Sequence, residues 1–237
     1  MRREIGKEWR LRRRDLLFFA VVSALVWIVG ILLQMLVVKA LGNPRVVPLA
    51  SIMTTVCMAG MSCMGFGADW VYNFDLALSF GRTRKRFLLY SSIVYFLGNV
   101  ILLLEMKIFL EAELLFWKGG FLRLEAEKSI GDLLMSQIAA SYTSIAWIPA
   151  YGVLLTGIAC AGGAVVHRFR GKGGAVLLLL WFVMCLLISK SEVSAQVTRV
   201  LSFYGSLSMS LQFLLVLLLG LSVWAIGAFS MRKGRVY

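Results

Sequence analysis

Six uncharged runs of mainly hydrophobic residues follow one another along the chain and set its predicted architecture. A transmembrane helix needs about 20 apolar residues, because each residue rises about 1.5 Å through a hydrocarbon layer about 30 Å thick. A helix also satisfies its backbone hydrogen bonds within its own segment, as a lipid environment requires. The runs cover residues 16–38, 46–68, 87–104, 133–166, 173–189 and 200–231. The pattern therefore predicts an all-α integral membrane protein with six transmembrane helices.

The residues before the first run predict an additional helix at the membrane surface. Ile5 and Trp9 are four residues apart and share one helical face, while Arg and Lys crowd the remaining positions of 1–15. Tryptophan is enriched at membrane interfaces, and a basic amphipathic helix lies in the interface plane. The alternative is a disordered basic tail that only sets topology. We therefore divide the chain into an amphipathic segment 1–15, one six-helix transmembrane domain 16–231 and a basic tail 232–237.

The distribution of positive charge predicts the orientation of these helices. Counted in alternate segments, 17 Lys and Arg residues fall on one side of the predicted membrane and eight on the other. The positive-inside rule places the richer side, with both termini and the loop 69–86, in the cytoplasm. The chain is 60% hydrophobic and 16% charged, as a membrane protein is. Its net charge of +13 then reflects topology and attraction to anionic membrane lipids, and we expect no nucleic-acid partner.

The sequence offers little catalytic chemistry. His167 is the single histidine, which removes most zinc sites and leaves no Ser-His-Asp triad to assemble. No phosphate-binding loop of the GxxxxGK[ST] type occurs, so ATP hydrolysis by that route is excluded. We expect a non-enzymatic chain that binds no metal and no cofactor of its own.

Several positions inside the runs are candidates for helix packing or for the wall of a transport pathway. Gly152 and Thr156 begin a stripe of small residues at every fourth position, which lets helices approach closely in lipid. Such stripes serve ordinary packing within a chain, a dimer contact or a pore face. The polar candidates within the runs, each able instead to bond a neighbouring helix, are Gln34, Asn99 and Gln212.

Four further expectations concern the third and fourth helices and the external segments. Pro149 is predicted to kink the fourth helix, because proline removes one backbone hydrogen bond. The third helix is expected to continue beyond Leu104 as an amphipathic rod, with Glu111 and Glu113 in external water. Glu105, near the membrane edge, is either a snorkelling side chain or a functional intramembrane charge. The segments 105–132 and 190–207 are external loops, helices or gates.

The segment 75–87, DLALSFGRTRKRF, carries a resemblance to a known family. Phe80, Gly81, Thr83, Arg84 and Lys85 fit a pattern like F-G-x-[ST]-R-K. This stretch resembles one in membrane subunits of bacterial ABC exporters of the type-two permease family, which serve bacteriocin or lantibiotic immunity and peptide export. The resemblance implies a permease in the bacterial cytoplasmic membrane. It also implies a separate ABC-type ATPase subunit that holds ATP and Mg, and a second permease copy or a sister chain.

The resemblance further implies a short cytoplasmic coupling helix at about 72–80 that docks in a groove of the ATPase. Asp75 would pair with a basic residue of that groove, and Gly81 would end the helix. A solvated basic loop that merely obeys topology is the alternative. The apolar anchors of the coupling helix would be Tyr72, Phe74, Leu76, Leu78 and Phe80. The residues that hold the elbow at lipid headgroups would be Arg82, Arg84 and Lys85.

Three functions are consistent with the sequence as a whole. The first is an exporter subunit for an amphipathic peptide, lipid-like or drug-like substrate. The second is an ATP-independent secondary transporter or channel. The third is a membrane immunity or scaffold protein that transports nothing.

Overall fold

Helices make up almost all of the described part of the chain. The computed structural model describes residues 2–41, 49–79, 83–116, 145–169, 172–188, 199 and 202–233. A 3-10 turn, Ile145–Trp147, leads into the fourth helix, and a helical turn at 202–206 precedes the last. The helices are α1 Arg2–Leu41, α2 Leu49–Ser79, α3 Arg84–Phe116, α4 Ile148–Phe169, α5 Gly173–Ile188 and α6 Met209–Lys233.

Four of these helices are long and apolar enough to cross a membrane. The spans are Arg12–Val37, Arg84–Phe116, Ile145–Phe169 and Met209–Arg232. Within its described residues, α2 contributes the shorter apolar stretch Leu49–Ser62, and α5 has 16 residues. A helical membrane protein is therefore the class that the fold indicates, while crossings by α2 and α5 stay predictions.

The predicted amphipathic segment and the predicted coupling helix are both parts of longer helices. The amphipathic segment 1–15 is continuous with the first run in α1, a helix of 40 residues, in which Trp9 is half-buried. The side chain of Ile5 lies outside the described residues. The predicted coupling helix is likewise the last part of α2, since residues 68–79 contain neither glycine nor proline.

The third and fourth helices also refine the sequence prediction. α3 extends to Phe116, so the expectation that this helix continues beyond Leu104 is confirmed. Pro149 is the second residue of α4, where a missing backbone N–H breaks no helical hydrogen bond, so the predicted kink is wrong. The earlier part of the fourth run, 133–144, lies outside the described residues.

The chain divides into two compact units, of which the first comprises Met1–Met61 and Leu97–Ile148. In this unit Ser23 hydrogen-bonds Glu105, and four residues later on each helix Trp27 stacks on Phe109. Because the residue number rises by four on both helices from the first contact to the second, α1 and α3 run parallel. The start of α2 lies against α1, because a Cβ on Gly30 would lie 2.6 Å from Cα of Ala50.

The second unit comprises Ser62–Phe96 and Pro149–Tyr237. In this unit the end of α2 packs antiparallel to the start of α3. α4 and α6 run parallel, because Gly157 faces Gly220 and Ala161 faces Gly227. α5 turns back on α4, since a Cβ on Gly173 would lie 2.3 Å from Cα of Val166. In this unit α2 and α3 therefore run in opposite directions, and α4 and α6 run in the same direction.

Candidate functional site

An aromatic cluster joins three helix ends in the second unit. Trp70 of α2 stacks on Tyr95 of α3 with ring centroids 4.9 Å apart. One turn later Phe74 meets Phe87 edge-on at 5.6 Å and His167, in the last turn of α4, at 5.5 Å. Such ring pairs contribute about 0.5–1.5 kcal/mol each beyond the area that they bury. The cluster fixes the ends of α2 and α4 against the start of α3.

A hydrogen bond brings the end of α6 to the same place. Nη1 of Arg84 donates to the carbonyl oxygen of Arg232 at 2.8 Å. The last carbonyl groups of a helix lack intrahelical donors and carry partial negative charge, so a guanidinium stabilises them. Thr83 directly precedes α3, and its carbonyl accepts a hydrogen bond from the amide of Phe87 at 3.1 Å.

These contacts gather positive charge at one end of the second unit. The start of α3, the end of α4, the residue before α5 and the end of α6 each contribute cations. Most of these side chains are exposed, and the Arg84 side chain is half-buried. We call this cluster the basic end, and its described members are Arg84, Lys85, Arg86, Arg168, Lys172 and Arg232.

The predicted coupling residues separate into exposed and buried positions. Tyr72 is 74% exposed, so its ring is free to meet a partner. Phe74 is 0% exposed, and its assignment as a surface anchor is wrong, because the aromatic cluster of the chain itself takes up the ring. Leu78 is half-buried. The side chains of Asp75 and Leu76 lie outside the described part of the structure.

The remaining predicted elbow residues divide in the same way. Lys85 is exposed, as a residue at lipid headgroups should be. Arg84 instead turns part of its guanidinium to the end of α6, so it holds helices together as well as carrying charge. Phe80, Gly81 and Arg82 lie outside the described residues.

The packing candidates on α4 and α6 take structural positions. Gly152 and Thr156 are buried, and the Thr156 hydroxyl donates to the Gly152 carbonyl at 2.7 Å, within the helix. Gln212 lies near the start of α6, where its Nε2 donates to the carbonyls of Tyr204 and Leu207 at 2.9 and 3.0 Å. Gln212 therefore ties down the turn that precedes α6. Burial raises the pKa of the Tyr204 phenol above its ordinary value, so this group stays neutral at physiological pH.

The two polar candidates of the first unit lie inside the protein. Gln34 is 4% exposed and Asn99 is fully buried. Both make a polar contact within the chain, as the helix-packing alternative expects. A pathway role for either side chain stays a prediction.

Sequence analysis placed Glu113 in external water, and this expectation is wrong. Glu113 is 0% exposed and lies at the start of α2. Its carboxylate accepts the backbone amides of Ala50 at 3.3 Å and Ser51 at 2.8 Å, and the Ser51 hydroxyl donates to it as well. The first amides of a helix need acceptors, and Val46-Val47-Pro48 before α2 supplies no side chain that caps a helix. The absence of a capping residue was the sequence signal that another part of the chain supplies an acceptor there.

The close contact between α4 and α6 was also missed. A Cβ on Gly157 would lie 2.4 Å from the Gly220 carbonyl oxygen, and one on Gly227 would lie 2.7 Å from the Ala161 amide nitrogen. Gly157 and Ala161 form a small-xxx-small pair one position beyond the stripe that starts at Gly152. The sequence therefore contained the small-residue pair that makes this contact, on the helical face next to the predicted stripe.

Metal chemistry finds no support in the described residues. The searched part of the chain holds no group of three or more His, Cys, Asp or Glu that a metal ion would need. Cys57 and Cys160 are free thiols. Comparison with protein-family models, with curated proteins and with solved structures finds no match to this chain.

Proposed function

We propose that this chain is the transmembrane permease subunit of an ABC-type exporter of the bacterial cytoplasmic membrane. Its substrate would be an amphipathic peptide, lipid-like or drug-like molecule. The observation that carries this proposal is the pairing of an exposed Tyr72 with a buried Phe74 at the basic end. One residue offers an aromatic surface for a partner, and its near neighbour ties the same helix into the protein.

This arrangement supports a mechanical role for the end of α2. A partner that displaces Tyr72 also displaces the hydrogen-bonded backbone of α2. Through the ring of Phe74, this movement reaches the start of α3 and the end of α4. Phe74 is in this proposal a positioning residue, and Tyr72 is the docking residue. The partner is an ATPase subunit that holds ATP and Mg, and a second permease copy or sister chain completes the pathway. Lys85 and Arg86 face anionic lipid headgroups.

A secondary transporter that needs no ATPase is the second candidate, and Glu105 is the observation that favours it. This carboxylate lies within the span Arg84–Phe116, and ionisable groups within spans are typical of ion and substrate pathways. Transport by the purified chain in liposomes without nucleotide would support this candidate over the first.

The test of the exporter proposal is co-purification of an ATPase with the full chain from membranes of its host. We expect ATPase activity to follow the wild-type chain through detergent extraction and affinity capture. Tyr72→Ala removes the docking ring and should reduce the captured activity by about tenfold, because buried aromatic anchors dominate interface energies.

Phe203→Ala is the matched control for that experiment. Phe203 is 67% exposed on the turn 202–206, which is predicted to lie on the other side of the membrane. Its loss should leave the captured ATPase activity unchanged. Equal capture by Tyr72→Ala and wild type, or no ATPase with wild type, would refute the proposed docking.

A further inference from the structure

In the first unit, the Glu105 carboxylate has a hydrogen-bond partner for one of its two oxygens among the described residues. Glu105 is 11 residues from the end of α3, which places it roughly 16 Å along the helix from Phe116. The Ser23 hydroxyl, 2.8 Å from Oε1, is the one polar partner that the described part of the chain gives this side chain. Its other oxygen, Oε2, is buried without a hydrogen bond.

Ser23 compensates the charge of Glu105 only in part. The hydroxyl of Ser23 also lies 2.8 Å from the carbonyl oxygen of Ala20, an acceptor. A serine hydroxyl has one hydrogen to donate, so Ala20 and Glu105 compete for it. An ionised carboxylate in such surroundings is costly unless a positive group pairs with it.

An aromatic pair with a second unused polar atom lies one turn further along both helices. Trp27 follows Ser23 by four residues and Phe109 follows Glu105 by four, and their rings stack at 5.2 Å. Nε1 of Trp27 is buried without a hydrogen-bond partner among the described residues. The site thus offers an acceptor at Glu105, a donor at Trp27 and aromatic rings that attract cations.

The surroundings of this site are open to molecules dissolved in the hydrocarbon layer. Glu105, Trp27 and Phe109 are each half-buried, so part of each side chain lies at the surface. Ile28, Ile101 and Ile108 are exposed on the same stretches of α1 and α3. Apolar surface is therefore exposed on both helices that carry the site.

We propose that Glu105, Trp27 and Phe109 form a binding site for the ammonium group of an amphipathic molecule that carries a hydrogen-bond acceptor beside it. The ammonium donates to Oε2 of Glu105, and the neighbouring acceptor takes the Trp27 Nε1 hydrogen. An amino-terminal residue of an apolar peptide has this chemistry. This site rests on the proposed function for its role as the substrate site, and it narrows the substrate class to cations.

The test uses purified full-length chain in lipid nanodiscs and two matched probes. Phenylalanine octyl ester carries a primary ammonium beside a carbonyl, and N-acetylphenylalanine octyl ester keeps the shape without the cation. We expect equilibrium dialysis to show about tenfold tighter binding of the amine, because a charge-assisted hydrogen bond distinguishes the two probes. Glu105→Gln should abolish this preference, whereas Trp27→Phe, which keeps the ring stack, should weaken amine binding severalfold.

Glu111→Gln is the control, because it removes the same charge from an exposed position of the same helix. It should keep the full preference for the amine. Equal binding of both probes by wild type, or an unchanged preference in Glu105→Gln, overturns the proposed site. The assay contains no ATPase, so binding without a co-purifying ATPase would refute the exporter and keep the site. Co-purification of an ATPase with a chain that shows no preference for the amine would keep the exporter and refute the site.

Discussion

At the scale of single residues, the buried carboxylate of Glu113 caps a helix that has no capping residue of its own. Glu113 supplies the acceptor that the start of α2 lacks, with two backbone amides and the Ser51 hydroxyl as donors. A negative group is also favoured there by the helix dipole. Two residues earlier Glu111 is exposed, so one turn of α3 presents one acid to the protein interior and another outward.

Glu113→Ala should destabilise the protein strongly, because it leaves buried amides without an acceptor. We expect a loss of about 2–4 kcal/mol in the free energy of unfolding. In detergent solution this corresponds to a fall of about 5 °C or more in the thermal unfolding midpoint.

Glu111→Ala provides the comparison for that measurement. The exposed position predicts a change within about 0.5 kcal/mol. Similar unfolding midpoints for the two variants would contradict the capping role of Glu113.

At the scale of elements, the contact between α4 and α6 depends on glycine. Gly220 lies against the backbone of Leu154, and a Cβ there would be 2.7 Å from its amide nitrogen. Backbone atoms cannot rotate away as side chains do, so only a shift of a whole helix relieves such a contact. The close approach recurs at Gly157 and Gly227, so it extends over about two turns of both helices.

Gly220→Ala should therefore separate α4 from α6 and destabilise the protein by about 1–3 kcal/mol, as overpacking does. Thermal unfolding of the purified chain measures the effect.

Gly60→Ala is the matched substitution in α2. A Cβ at Gly60 would meet nothing within 4 Å, and alanine favours a helix over glycine by about 1 kcal/mol. Gly60→Ala should leave stability unchanged or raise it. Destabilisation of equal size in both variants would argue against a special role for the α4–α6 contact.

The sequence predicts elements well and helix ends poorly in this chain, for physical reasons. Long apolar runs predict the positions of α1 to α6 because burial in lipid selects length and composition. The end of α2 was misplaced because a polar stretch suggests a break, while a helix needs glycine, proline or a competing cap to stop. The burial of Phe74 depends on neighbouring helices, which no local pattern encodes. The missing cap of α2 indicates that an acceptor is needed, but it does not identify Glu113 as the residue that supplies it.

At the scale of the whole molecule, α1 and α6 leave most of their apolar surface uncovered. Only 22% of the most apolar window of α1 and 17% of that of α6 are buried within the chain. Apolar surface of this extent requires lipid or another membrane protein as its neighbour. Either neighbour agrees with the proposed permease, because that subunit would lie in lipid and pair with a second copy or a sister chain.

Labelling of single cysteines tests the proposed orientation. With the four native cysteines replaced, Thr83→Cys and Lys172→Cys lie at the basic end and Phe203→Cys on the turn before α6. A membrane-impermeant maleimide should modify Phe203→Cys on intact spheroplasts. It should modify the other two only after lysis, because the positive-inside rule places the basic end in the cytoplasm. Labelling of Thr83→Cys on intact spheroplasts would invert the proposed topology.

The glycine contacts of α4 and α6 have a consequence for motion in the second unit. Surfaces that meet through side chains can slide past one another by changing rotamers, whereas surfaces that meet at the main chain have no such freedom. The two helices should therefore move together as one rigid pair. If the chain is the permease proposed above, a pathway for its substrate would open beside this pair of helices and not between them.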